Sequence, residues 1–140
     1  QARDEQEIKT TFSLKKLIEA VIPTKNKNKT LSRVFQALRI EVNQELRNLE
    51  KVLPEAIDVL NKEGRIVFIS YHSLEDRLGK RFFRRKAKGC ICPPDFPVCR
   101  CGAKKRANIL TKRAVFPSEN EIESNPASRS ARLRALEKET

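Results

Sequence analysis

Apolar positions along the chain fall first into a helical rhythm and then into a strand. Leu14, Leu17, Ile18 and Val21 recur three or four apart. That predicts a short amphipathic helix over 14–21, capped by Thr11 or Ser13 and stopped by Pro23. Lys25, Asn26, Lys27, Asn28 and Lys29 offer no apolar position and read as a basic, water-facing connector. The rhythm resumes at Leu31, Phe35, Leu38, Val42, Leu46, Leu49 and Leu53, predicting one long helix capped by Thr30 whose stripe packs on a sheet. Pro54 suits the first turn of a further short helix over 54–61. Gly64 reads as the left-handed residue just past its end.

At Arg65 the period changes. Ile66, Val67, Phe68 and Ile69 are consecutive and β-branched or aromatic, which predicts a strand over 65–71 buried on both faces. Polar groups follow at once: His72, Ser73, Glu75, Asp76 and Arg77. Ser73 and Asp76 have the spacing of a capping box opening a helix that runs to Lys88. Helix, glycine turn, buried strand, polar loop and helix is the alternation of a parallel α/β sheet. In such sheets ligands bind beyond the strands' carboxyl ends, where the chain's one His stands. Two readings of His72 stay open: a group facing a cleft, or a histidine that braces the turn. Ser73 and Asp76 likewise read as site residues or as helix starters. Residues 109–116 read as a strand, Ser118 and Glu121 as a second capping box, and Asn125-Pro126 as a turn. Residues 131–136 alternate and read as a strand antiparallel to 109–116, with a terminal helix as the other option.

Charge narrows the class. The 140 residues carry 30 Lys plus Arg against 18 Asp plus Glu, a net charge of +12. Such an excess favours a polyanionic partner, nucleic acid before membrane. No apolar run approaches a bilayer span and no signal-peptide pattern is present, so the cytoplasm is the expected compartment. Lys80, Arg81, Arg84, Arg85, Lys86 and Lys88 exceed what a helix carboxyl end favours. With Arg77 they predict an RNA-facing edge, Phe82 and Phe83 between them reading as core rather than as a stacking platform. The chain lacks Met and opens in what reads as mid-helix, as a fragment of a longer protein would. Its length is that of one modest domain.

All the cysteines, Cys90, Cys92, Cys99 and Cys101, fall in one proline-rich loop as two Cys-x-Cys pairs. Four thiolates so placed suit a structural zinc; free or redox-sensitive thiols are the other reading. A catalytic zinc, with its open coordination position, is not expected.

Several segments then fall into one order. They are Phe35-Gln36-Ala37-Leu38-Arg39-Ile40, Asn43, Glu45-Leu46, Gly64-Arg65, Ile69-Ser70-Tyr71-His72-Ser73-Leu74-Glu75-Asp76-Arg77, Lys80-Arg81-Phe82-Phe83, Cys90 to Cys101, and Asn125-Pro126-Ala127-Ser128-Arg129-Ser130-Ala131-Arg132-Leu133-Arg134. This closely resembles the carboxyl-terminal half of the RsmH (MraW) family. Its members are bacterial S-adenosylmethionine-dependent methyltransferases that act on the exocyclic amino group of a cytidine in 16S ribosomal RNA. The resemblance implies an α/β fold: over 30–140 the second half of a Rossmann-like methyltransferase domain with a terminal antiparallel strand pair, preceded over 1–29 by the tail of a helical insertion. It implies S-adenosyl-L-methionine as cofactor of the complete enzyme, with the glycine-rich loop upstream and no cofactor-binding residue in this chain. It implies 16S ribosomal RNA or the small ribosomal subunit as partner, and leaves a homodimer open.

The chain departs from the family pattern in places. Lys29-Thr30-Leu31-Ser32 stands where many members have His-Pro-Ala, Tyr71 where Phe is common, and the Cys-x-Cys pairs belong to only some members. Methylating an amino nitrogen needs an unstacked base, an aligned lone pair and an exit for the proton. On this reading His72 and Ser73 touch the target nucleotide, while Arg77, Lys80, Arg81, Arg84 and Arg85 hold phosphates. The competing reading is a non-catalytic basic RNA-binding module with a structural zinc loop.

Overall fold

The computed structural model describes residues 7–90, 92–93, 98 and 100–139. It divides into two compact units, Gln1–Glu45 and Leu46–Thr140. That division falls later in the chain than the 29/30 boundary implied by the resemblance.

In the first unit, helix α1 (Thr11–Val21) is capped by Thr10, whose hydroxyl accepts from the Ser13 amide at 3.0 Å. Neither Thr11 nor Ser13 is the cap. A 3-10 turn at Thr24–Asn26 leads into α2 (Lys27–Val42). The expected connector is therefore largely helical, and Thr30 lies inside the helix. A polar run of Lys and Asn carries no helix-breaking residue, so it serves equally as a solvated first turn. The predicted long helix also breaks. Gln44 takes a left-handed φ of 51°, and Arg39 Nε and Asn43 Nδ2 both donate to Glu45 Oε1, at 2.9 and 3.3 Å. The apolar rhythm crosses the break because Val42 and Leu46 are four apart, so periodicity could not reveal it.

In the second unit, α3 (Glu45–Val59, of which all but Glu45 belongs here) runs straight through Pro54. Residues 54–61 are thus no separate helix. Lys138 Nζ donates to the carbonyls of Asp58 and Leu60 at 3.3 and 2.6 Å, closing the helix end. The left-handed residue that follows is Glu63, with φ 63°, and not Gly64. Gly64 is needed for room instead: a Cβ there would lie 2.8 Å from the Asn61 carbonyl oxygen.

Strand β1 (Arg65–Ser70) leads into α4 (Ser73–Lys88), then β2 (Ala107–Ile109), α5 (Glu119–Ser124), a 3-10 turn at Pro126–Ser130, and β3 (Arg132–Lys138). The sheet order is β1-β3-β2 with both pairings antiparallel. The final antiparallel pair is as expected, but the parallel alternation read around β1 is absent among the described residues. The predicted strand over 109–116 shrinks to Ile109 in β2 and one bridge from Val115 to Leu133. Between them the chain leaves the ladder, because Thr111 Oγ1 itself accepts from the Ala135 amide at 2.9 Å. Ser118 caps α5 as its spacing predicted, accepting from the Glu121 amide at 3.2 Å.

Beneath the sheet lies one core, Leu53 and Ile57 of α3, Phe82 and Phe83 of α4, Ala107 and Leu136, with Ile66 and Phe68 packed against it. β1 is covered on that face only. Val67 and Ile69, on the other, are 59% and 52% exposed, so burial of both faces is not found within this chain. Gly79 brings α4 close to the sheet, where a Cβ would meet the Phe68 ring at 2.5 Å.

Candidate nucleic-acid interface

The turn from β1 into α4 is built by His72, which is the helix cap itself. Its Nδ1 accepts from the Glu75 amide at 3.3 Å. Glu75 returns the contact: its Oε2 accepts from the Tyr71 amide at 3.2 Å, and its Oε1 lies 3.3 Å from His72 Nε2. A neutral ring therefore carries its hydrogen on Nε2, facing a carboxylate. The imidazole is nine-tenths buried, with 10% of its side chain exposed. Ser73 is not the cap; it is the exposed first residue of the helix.

Asp76 does not reach back to a cap either. Along α4, Phe83, Gly79 and Asp76 share the face turned to the sheet. On β3, Leu136, Arg134 and Arg132 share the face turned to α4. Toward the helix start, apolar packing therefore gives way to an ion pair. Arg134 donates from Nε and Nη2 to the two Asp76 carboxylate oxygens at 2.7 and 3.2 Å, and Arg132 adds a bond at 3.3 Å. The Arg134 hydrogen bond is the main cause holding the Asp76 carboxyl below its ordinary 3.8, with burial opposing it.

Beyond this pair opens a cleft of about 400 Å³, lined by Lys80, Arg84, Lys112, Arg113, Arg132 and Arg134 around Asp76. Phe116, also on its wall, is 62% exposed. The Arg132 guanidinium lies 5.8 Å from the centre of its ring. Six cations against one carboxylate make a binding place for a polyanion, and an exposed ring beside them is a surface for a base.

The basic half of α4 is thus divided. Lys80 and Arg84 face the cationic cleft. Arg77, Arg81 and Arg85, each four apart, instead rim a groove of about 530 Å³ with Leu46, Glu50, Leu53, Leu74, Leu78 and Phe82. Burial, then the nearby Arg106, lowers the Lys86 ammonium below its usual range. The pattern of charge along the chain does not single out Lys112, Arg113, Arg132, Arg134 and Phe116 as site residues. The spacing of Arg132 and Arg134, two apart on a strand, is the one signal that both share a face.

Past α4, the Sγ atoms of Cys90, Cys92 and Cys101 lie within 4.8 Å of one another. Cys99 lies outside the described residues. The four glycines are Gly64, Gly79, Gly89 and Gly102. None stands in the β1–α4 turn, where a strand-to-helix cofactor loop would need one.

A family model described as the MraW methylase family matches residues 1–139. Among curated relatives, the chain is 48% identical to the ribosomal RNA small subunit methyltransferase H of Finegoldia magna, over 98% of this chain and 45% of that protein. It is 50% identical to the protein of the same name from Carboxydothermus hydrogenoformans, over 97% of the chain and 44% of the relative. For the one from Thermomicrobium roseum the identity is 52%, over 97% and 42%. The chain spans less than half the length of these relatives.

Proposed function

The chain belongs to the MraW methylase family, and on that premise we propose that it is the RNA-holding, carboxyl-terminal part of a cytoplasmic enzyme that methylates the exocyclic amino group of a cytidine in 16S ribosomal RNA. The cationic cleft carries this reading. Lys80, Arg84, Lys112 and Arg113 hold phosphates there, and Phe116 stacks a base. Arg77, Arg81 and Arg85 hold further phosphates along the rim of the second groove. Ser73 meets the target nucleotide at the strand tip, and His72, locked by Glu75, positions it.

The methyl donor of this reaction class is S-adenosyl-L-methionine, which supplies an electrophilic sulfonium methyl. The residues described do not fit a cradle for it. Gly64, Gly79 and Gly89 are all used in close packing, with a Cβ at each meeting atoms at 2.8, 2.5 and 2.5 Å. This chain's residues bind and orient RNA, and the donor is held elsewhere in the enzyme. The uncovered Val67, Ile69 and Tyr71, each more than half exposed, fit a β1 that lies inside a larger Rossmann-like sheet in the whole protein. Residues 1–29 are the tail of its helical insertion.

The test is charge reversal of Lys112 and Arg113 in the whole enzyme. Each phosphate that the protein no longer neutralises lowers the slope of log affinity against log salt by about 0.7 for single-stranded RNA. Weaker binding with a shallower slope, and methylation restored at high RNA concentration, is the expected result. Unchanged affinity and slope would remove the cleft from the RNA path.

A further inference from the structure

We propose that Cys90, Cys92 and Cys101 bind a Zn²⁺ ion that fastens the end of α4 to the start of β2. Zinc–sulfur bonds of about 2.3 Å in a tetrahedron put neighbouring sulfurs about 3.8 Å apart. The Cys90 and Cys101 sulfurs are 3.9 Å apart, and Cys92 lies within 4.8 Å of both. A disulfide would hold its sulfurs at about 2.05 Å. The three thiols are already gathered at the spacing of metal ligands, and thiolates select zinc over hard cations.

Backbone shape supports the same site. Gly89, at φ 75°, ends α4 and turns the chain toward Cys90. Gly102, at φ 62°, turns it again directly after Cys101. The returning chain lies so near that a Cβ on Gly89 would sit 2.5 Å from the Lys105 amide nitrogen. Arg106 then donates its amide to Lys86 O at 3.0 Å, and Ala107 enters the core fully buried. The thiols therefore close a loop whose two ends are both anchored. The clasp fixes the segment from which Arg84 and Arg85 project, but it stands whether or not those residues touch RNA.

Metal analysis of the whole protein, purified without chelator, is expected to give one zinc per chain, lost in Cys90→Ser and in Cys101→Ser. Cobalt loaded in its place should show the absorption of tetrahedral thiolate coordination. Because a serine variant can fail to fold, alkylation of the unsubstituted protein provides a second reading. Cys90, Cys92 and Cys101 should resist iodoacetamide until a chelator strips the metal, and then react. Equal reactivity with and without chelator, a disulfide joining two of the thiols, or bound iron and sulfide in place of zinc would each overturn the proposal.

Discussion

Asp76→Ala would strand a guanidinium inside the protein. Arg134 is 8% exposed and Asp76 is 7% exposed, and the pair shares two hydrogen bonds at 2.7 and 3.2 Å. Breaking such a buried pair by removing one partner costs about 3–5 kcal/mol. The Arg132 interaction adds little, since 39% of that side chain is exposed and exposed pairs are worth about 0–1 kcal/mol. Arg134 borders the cleft and can turn partly toward water, which places the loss near the lower end, about 3 kcal/mol. For a unit of this size that is a fall in Tm of about 12 °C or more. Urea or thermal unfolding of Asp76→Ala, Arg134→Met and the double variant Asp76→Leu/Arg134→Met measures it. The double variant should recover most of the loss, because apolar groups replace both charges. The pH dependence has a definite sign. Since folding holds the Asp76 carboxyl below 3.8, its stabilisation is complete above that value and is lost as the pH falls through the lower folded value. The Asp76→Ala protein should therefore have a flatter acid limb. Affinity for RNA should rise, since one negative charge leaves a cationic cleft. A Tm within a degree of the parent, or single losses that simply add in the double variant, would refute the reasoning.

Further expectations follow from the same packing, beside the charge reversal and metal analysis described above. Gly79→Ala gains about 1 kcal/mol of helix propensity but drives a methyl into the Phe68 ring; overpacking of about 1–3 kcal/mol should leave a net loss, and a raised Tm would show that α4 does not pack on β1 as described. His72→Ala should cost about 1 kcal/mol as a lost cap, whereas His72→Asn, an able cap, should keep that stability. Methylation by the whole enzyme then separates the roles: His72→Asn should turn over more slowly at normal stability if the ring positions the nucleotide, and full activity would reduce His72 to a brace.

The chain's local patterns determined a good deal. The stripe Leu46, Leu49 and Leu53 announced a helix with a packed face, the run from Ile66 to Ile69 announced a strand, and the alternation at 131–136 announced another, though its main partner proved to be β1 rather than 109–116. These depend on neighbours a few residues apart, and periodicity records them. The segments around His72 that carry the family resemblance are equally local. Other features were invisible because they depend on which distant atoms come near. Gln44 breaks a helix whose apolar rhythm continues, and His72 rather than Ser73 takes the cap because its ring nitrogen reaches the Glu75 amide. One face of β1 is covered and the other is not. Above all, Asp76 meets Arg134, which is 58 positions away, only because α4 lies across the core face of β3. That packing sends Lys80 and Arg84 into one cleft and Arg77, Arg81 and Arg85 into another. A charge's neighbours in space are set by how helix and sheet pack, and spacing along the chain does not encode them.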